Sequence, residues 1–160
     1  MATLRTLIQS CDKCDLCKNN IVSPVATEYL SEGRPDILIV IGSKVQEEND
    51  TYQEVLRGPL KQIIKDIGKK IKRNIALTFL IKCATTKAYY SLKNTKDCDW
   101  LLQEIDLIKP KIIIGMGSKN LMEKQKIKFD IITDSPLTVL GSKISTDKFV
   151  AHLESLINDK

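Results

Sequence analysis

Asp36-Ile-Leu-Ile-Val-Ile41, closed by Gly42, is the stretch on which the fold turns. Ile37 to Ile41 are all aliphatic, so neither side of the segment is polar. Such a run fits a strand covered on both faces, as in a parallel sheet. Working outward, the signature returns in Ile75-Ala-Leu-Thr-Phe-Leu-Ile-Lys82 and in Lys111-Ile-Ile-Ile-Gly-Met-Gly117, which has a glycine-rich exit. Residues 127–132 suggest a fourth strand. Helical patterns lie between them. Over 59–73, Pro59 suits a first turn, and Leu60, Ile63, Ile64, Ile67 and Ile71 recur at helical spacing, with Lys61, Lys65, Lys69 and Lys72 opposite. Further helices are expected at 2–10, 97–108 (stopping before Pro110), from 118 to 125, and over 145–158. Residues 18–35, which carry Pro24, Gly33 and Pro35, and residues 43–57 read as loops, and 84–96 as a polar stretch. Alternating strands and helices predict a three-layer α/β/α domain around a mainly parallel four-stranded sheet, with residues 1–160 forming a single domain.

The chain has 160 residues, 42% hydrophobic and 28% charged, proportions that suit one soluble core and argue against a disordered chain. No apolar run reaches the roughly eighteen residues a bilayer requires, so no membrane partner is expected. The N-terminus, Met1-Ala-Thr-Leu-Arg-Thr-Leu-Ile-Gln-Ser-Cys11, lacks a signal-peptide core, so an intracellular reducing compartment is expected, cytoplasmic or within a virus-infected host cell. The net charge of +5, mostly from lysine, favours an anionic partner; a lysine-rich surface from an AT-rich genome is the plainer reading. The single histidine, His152, falls in the last helix and reads as a surface or packing residue.

In a reducing compartment the five cysteines are poor disulfide candidates, and their spacing carries the information. Cys11, Cys14 and Cys17 recur at two-residue gaps, Cys83 follows the second strand, and Cys98 opens the next helix. Four thiolates from these places suit an iron–sulfur cluster, with tetrahedral zinc as the alternative.

The order of motifs over residues 8–120 resembles the iron–sulfur uracil-DNA glycosylases of families 4 and 5. Their opening pattern matches Cys11, Cys14 and Leu16. Their first strand and glycine match Asp36 to Gly42, followed by Asn49-Asp50 and by Gly58 ahead of a helix. Their strand ending in Lys-Cys matches Thr78-Phe79-Leu80-Ile81-Lys82-Cys83. Their next helix, running from a cysteine into a proline, a strand and a glycine, matches Cys98 to Gly117. The resemblance implies a uracil-DNA glycosylase-like fold and a 4Fe–4S cluster on Cys11, Cys14, Cys83 and Cys98. Cys17 would then be spare, with the pair Cys14 and Cys17 as the alternative choice.

The catalytic positions depart from that pattern. Ser43 stands where an acidic or polar group is usual, and Val45 and Gln46 replace a proline and a glycine. Leu56 falls near the base-stacking phenylalanine. Phe79 replaces the uracil-reading asparagine, and a phenyl ring cannot pair with the edge of a flipped base. Thr133-Asp134-Ser135-Pro136 takes the place of the late motif and offers no histidine. Val45, Leu56 and Phe79 are therefore expected to fill the former base pocket. Asp50 and Asp134 are the carboxylates left to support chemistry, and each also reads as an ordinary loop or turn residue.

What remains suits phosphate contacts. Candidates are Ser43 and Lys44, Lys82 and Lys87, and the loop carrying Gly115, Gly117, Ser118 and Lys119 ahead of a helix. Tyr89 and Tyr90 would stack on bases if exposed. The expected function is that of a non-catalytic, DNA-binding component of a replication complex, with a polymerase or other replication protein as partner; poxvirus relatives in this superfamily are polymerase processivity subunits. Alternatives are an atypical active glycosylase and a protein–protein adaptor without DNA binding.

Overall fold

The computed structural model describes residues 2–12, 26–42, 58–82 and 99–160. Its elements, in chain order, are α1 (Ala2–Gln9), β1 (Glu28–Tyr29), β2 (Ile37–Ile41), α2 (Pro59–Ile71), β3 (Ile75–Phe79), α3 (Trp100–Ile108), β4 (Ile112–Met116), α4 (Lys119–Met122), β5 (Ile131–Thr133), α5 (Pro136–Leu140) and α6 (Lys143–Asn158).

Among the described residues the strands form one five-stranded sheet in the order β1-β3-β2-β4-β5. β2 is central and parallel to both neighbours, with Ile37 opposite Ile75 on one side and Ile112 on the other. β5 continues the parallel set beside β4, while β1 runs antiparallel along β3. The sheet is thus mixed and five-stranded, not the four-stranded one expected. The difference is β1, inside the segment read as a loop: two residues are too few to show a strand period. Glu28 of this strand is tied to Lys61 of α2 by an ion pair.

The unbroken apolar runs have their physical explanation in two cores. Ile37, Ile39 and Ile41 share one core with Ile75, Leu77 and Phe79, with Ile112, Ile114 and Met116, and with α2, α5 and α6. Leu38, Val40 and Ala76 face the other way, into a core with Leu101 and Ile108 of α3 and Met122 of α4. Side chains alternate across each strand, and helices occupy both sides, so every position on β2 and β3 is buried.

The ends of the sheet are fixed by specific bonds. Asp36 donates its N–H to the Asn74 carbonyl at 2.9 Å, and its own carbonyl accepts from Lys111 N at 2.8 Å. The Lys111 ammonium lies 2.9 Å from the Asp36 carboxylate. That hydrogen bond holds the carboxyl below its ordinary range against the opposing effect of burial. β5 begins later than the sequence suggests; just ahead of it the Asp130 N–H donates to Ile113 O at 2.8 Å, and Asp130 Oδ2 accepts the Ile113 N–H at 2.8 Å. Helix α5 was not foreseen; it is one short turn opened by Ser135, whose hydroxyl accepts from Thr138 N at 3.4 Å.

Candidate functional site

The chain leaves β2 toward α2 in the first core and leaves β4 toward α4 in the second. Adjacent parallel strands whose exits diverge to opposite faces open a crevice at their carboxyl ends, the usual place for a ligand in such sheets. Here that position is taken by Gly42 after β2 and by Gly117 and Ser118 after β4, packed against each other.

The approach is close. Gly42 donates its N–H to Met116 O at 2.9 Å. A Cβ added at Gly42 would stand 2.4 Å from Ser118 Cβ and 2.9 Å from Gly117 O. Gly117 has a φ of 76°, and Ser118 also sits in the left-handed region at 48°. The Gly117 N–H donates to Thr133 O and Asp134 O, each at 3.1 Å. The late segment Thr133-Asp134-Ser135 therefore meets the glycine-rich exit of β4, with a Cβ at Gly117 only 3.5 Å from Ser135 Cα. Asp134 is exposed there. Gly42→Ala is expected to force Ser118 or the strand aside and to lower stability by about 1–3 kcal/mol, as an overpacked site does. A urea titration would measure it, and an unchanged midpoint would show that the strand ends yield freely.

The expected contacts are distributed unevenly. Gly117, Ser118 and Lys119 lie together at these strand ends, with the exposed Lys119 ammonium 3.8 Å from Glu123. Helix α4 has four residues, so its dipole adds little for an anion. Lys82 does not face outward as a phosphate contact would. It is wholly buried, its ammonium bonded to the Glu104 carboxylate and the Thr78 hydroxyl. Phe79 is buried in the first core, 1% exposed. His152 is exposed on α6. Ser43, Lys44, Val45, Leu56, Lys87, Tyr89, Tyr90 and Asp50 lie outside the described residues.

The Lys82 pair belongs to a closed polar group that sequence reasoning missed. Glu104 Oε1 accepts the Thr27 N–H at 2.7 Å, and Oε2 accepts the Thr78 hydroxyl at 2.9 Å as well as the ammonium. Edge segment, strand β3 and helix α3 are thereby joined through one carboxylate. A signal was present: Glu104 stands three residues after Leu101 and four before Ile108, on the face of α3 that is otherwise apolar.

Of the cysteines, Cys11 is described, while Cys14, Cys17, Cys83 and Cys98 lie outside the described residues. Cys11 sits against α3, where Trp100 Nε1 donates to its sulfur at 3.1 Å. Ile8, Ala26 and Trp100 form a small core beside it. An indole N–H aimed at sulfur suits a thiolate ligand, whose charge strengthens such a bond. The chain enters its cysteine-bearing segments at points around this helix: after Cys11 and Asp12, after Lys82, and before Asp99, the residue that precedes α3. Lys82 and Trp100 are both tied to α3 or part of it, Lys82 through Glu104 one turn along. Among the described residues no group of three or more His, Cys, Asp or Glu is placed to hold a metal, and no helix is long and apolar enough to cross a membrane. No protein-family model matches this chain.

Proposed function

We propose that this protein is a non-catalytic relative of the uracil-DNA glycosylases that binds DNA at the carboxyl ends of β2 and β4, as a component of a replication complex. The observation that carries the reading is the meeting of Gly42, Gly117-Ser118 and Asp134-Ser135 at the point where the strand exits diverge. These are three of the segments matched to the glycosylase pattern, and they lie far apart in sequence. Helices on both sides of a sheet with four parallel strands are in keeping with a glycosylase-like three-layer domain. Packing of Phe79 into the core supports the non-catalytic part, because no amide is offered at that position and the ring is not free to stack.

In this reading Cys11, Cys14, Cys83 and Cys98 hold a 4Fe–4S cluster. Its contribution when bound is structural, fastening the N-terminal segment to the start of α3. The chain's own residues position it: Trp100 supplies an N–H to the Cys11 sulfur, and the Lys82–Glu104 pair anchors the strand exit that precedes Cys83. Lys119 and the backbone around Gly117 serve the phosphates, with Lys44 and Lys87 as further proposed contacts.

The test is a titration of the full chain against matched uracil, thymine and abasic duplexes at two salt concentrations, with free uracil assayed in parallel. Expected are equal affinities for the three duplexes, a steep fall with salt, a uniform loss on Lys119→Ala, and no uracil release. A strong preference for uracil, or uracil release abolished by Asp134→Asn, would transfer the reading to an active glycosylase. Affinity indifferent to salt and to Lys119 would transfer it to a protein adaptor.

A further inference from the structure

Helix α1, edge strand β1 and helix α3 leave a trough between them, lined by none of the residues that meet at the ends of β2 and β4. Its deeper part is a cavity of about 320 Å³ walled by Leu4, Ile8, Tyr29, Leu107 and Ile108. A second hollow of about 430 Å³ shares Tyr29, Leu107 and Ile108 with the first and runs on to Arg34 and Lys109. Large apolar side chains stand open along it. Leu107, in the wall of both hollows, is 47% exposed, and Leu4 on α1 is half-buried in the wall of the first. Two adjoining hollows with apolar walls offer a place for apolar side chains of a ligand.

Apart from the buried Glu104, the charges among the described lining residues are positive. Arg5 lines the cavity, and Arg34 and Lys109 line its continuation. Arg34 is fixed in place: its Nε donates to Ile108 O at 3.0 Å and its Nη2 to Lys109 O at 3.3 Å. The carboxylate among the described lining residues is Glu104, and it is neutralised from behind by Lys82. Burial, and then the Glu104 charge, push the Tyr29 phenol above its ordinary range, so Tyr29 stays a neutral donor at the mouth.

We propose that this trough docks an amphipathic segment of a partner protein, its apolar side chains entering the two hollows and its carboxylates meeting Arg5, Arg34 and Lys109. Two hollows sharing one wall suit successive apolar anchors of a helix laid along a groove. A nucleic-acid backbone fits poorly, because it has no aliphatic side chain to enter the hollows and would lay charged phosphates over Leu107 and Ile108. The inference deepens the partner half of the proposed function and rests on that reading only for the expectation of a partner, since it uses a separate surface.

The probe is a short fluorescent peptide with leucines at helical spacing and glutamates on the remaining face, titrated into the full chain at low salt and followed by anisotropy. A control peptide has lysines in place of the glutamates. The acidic peptide should bind saturably and the basic one more weakly. Leu107→Gln and Leu4→Gln, neither of them at the ends of β2 and β4, should each weaken binding about tenfold, the effect of losing a buried leucine contact. Arg5→Glu should weaken the acidic peptide and favour the basic one, and none of the three should change DNA affinity. Equal binding of the two peptides, no binding of either, or indifference to both leucine changes overturns the proposal. Peptide binding in a protein that ignores DNA upholds the trough while removing the DNA reading.

Discussion

Glu104→Leu is expected to be the most damaging single substitution in the described part of the chain, costing about 3–5 kcal/mol. The carboxylate is 3% exposed and answers three donors at once: the Lys82 ammonium, the Thr78 hydroxyl and the Thr27 N–H. Its loss takes this counter-charge from a wholly buried ammonium, and a domain's entire stability is only about 5–15 kcal/mol. Pairing the change with Lys82→Met should recover a large part of the loss, because an apolar pair of similar volume avoids the cost of desolvating two ions. Recovery should stay incomplete. The Thr27 N–H would still lack its acceptor, at a cost of about 1–3 kcal/mol. Urea titrations of the two single variants and the double variant form the cycle. A double variant no more stable than Glu104→Leu alone would show that the ion pair is not the source of the damage.

Protein purified without oxygen is expected to be brown, with iron and sulfide each at about four per chain, the content of one cubane on four cysteines. Cys83→Ser or Cys98→Ser should lose most of that iron and much of the helix signal, since these residues flank the strand exit and the helix that the centre would join. Cys17→Ser should keep both. Trp100→Phe offers a more local reading. It removes the N–H that meets the Cys11 sulfur at 3.1 Å while leaving an aromatic ring in the small core with Ile8 and Ala26. A sulfur that loses such a donor is a better electron donor to iron, so the reduction potential should move down with iron content unchanged. Stoichiometric zinc without iron would replace the cluster by a tetrahedral zinc site, and the opposite ranking of the cysteine variants would mean a different ligand set.

The interior of the sheet was legible because burial on both faces leaves unbroken apolar runs. β2, β3 and β4 were found at Ile37, Ile75 and Ile112, where such runs begin. The second of these runs overran: Leu80, Ile81 and Lys82 are buried but lie past the end of the ladder, and a run of apolar letters does not record where strand pairing stops. The edges were illegible for the opposite reason. β1 is two residues long, and β5 is half-exposed. At the site, the glycines announced themselves at Gly42 and Gly117, but their contact with Ser118 and Asp134 comes from strand order, which no local pattern carries. Lys82 was misjudged because a lysine letter says surface, and its partner Glu104 is reached only once α3 is laid over β3.

The placement of β2 in the middle of the sheet has a consequence for how the protein is made. As the chain emerges from a ribosome, Ile37-Leu-Ile-Val-Ile41 appears before either strand that will flank it, since Ile75 and Ile112 are still to be synthesised. For that interval a five-residue segment of high β-propensity without charge or proline has both edges open, the profile of an aggregation hazard. Parallel pairing over such separations is also intrinsically slow. Soluble yield should therefore respond to translation speed and to chaperones that shield nascent strands more than to the stability of the finished domain.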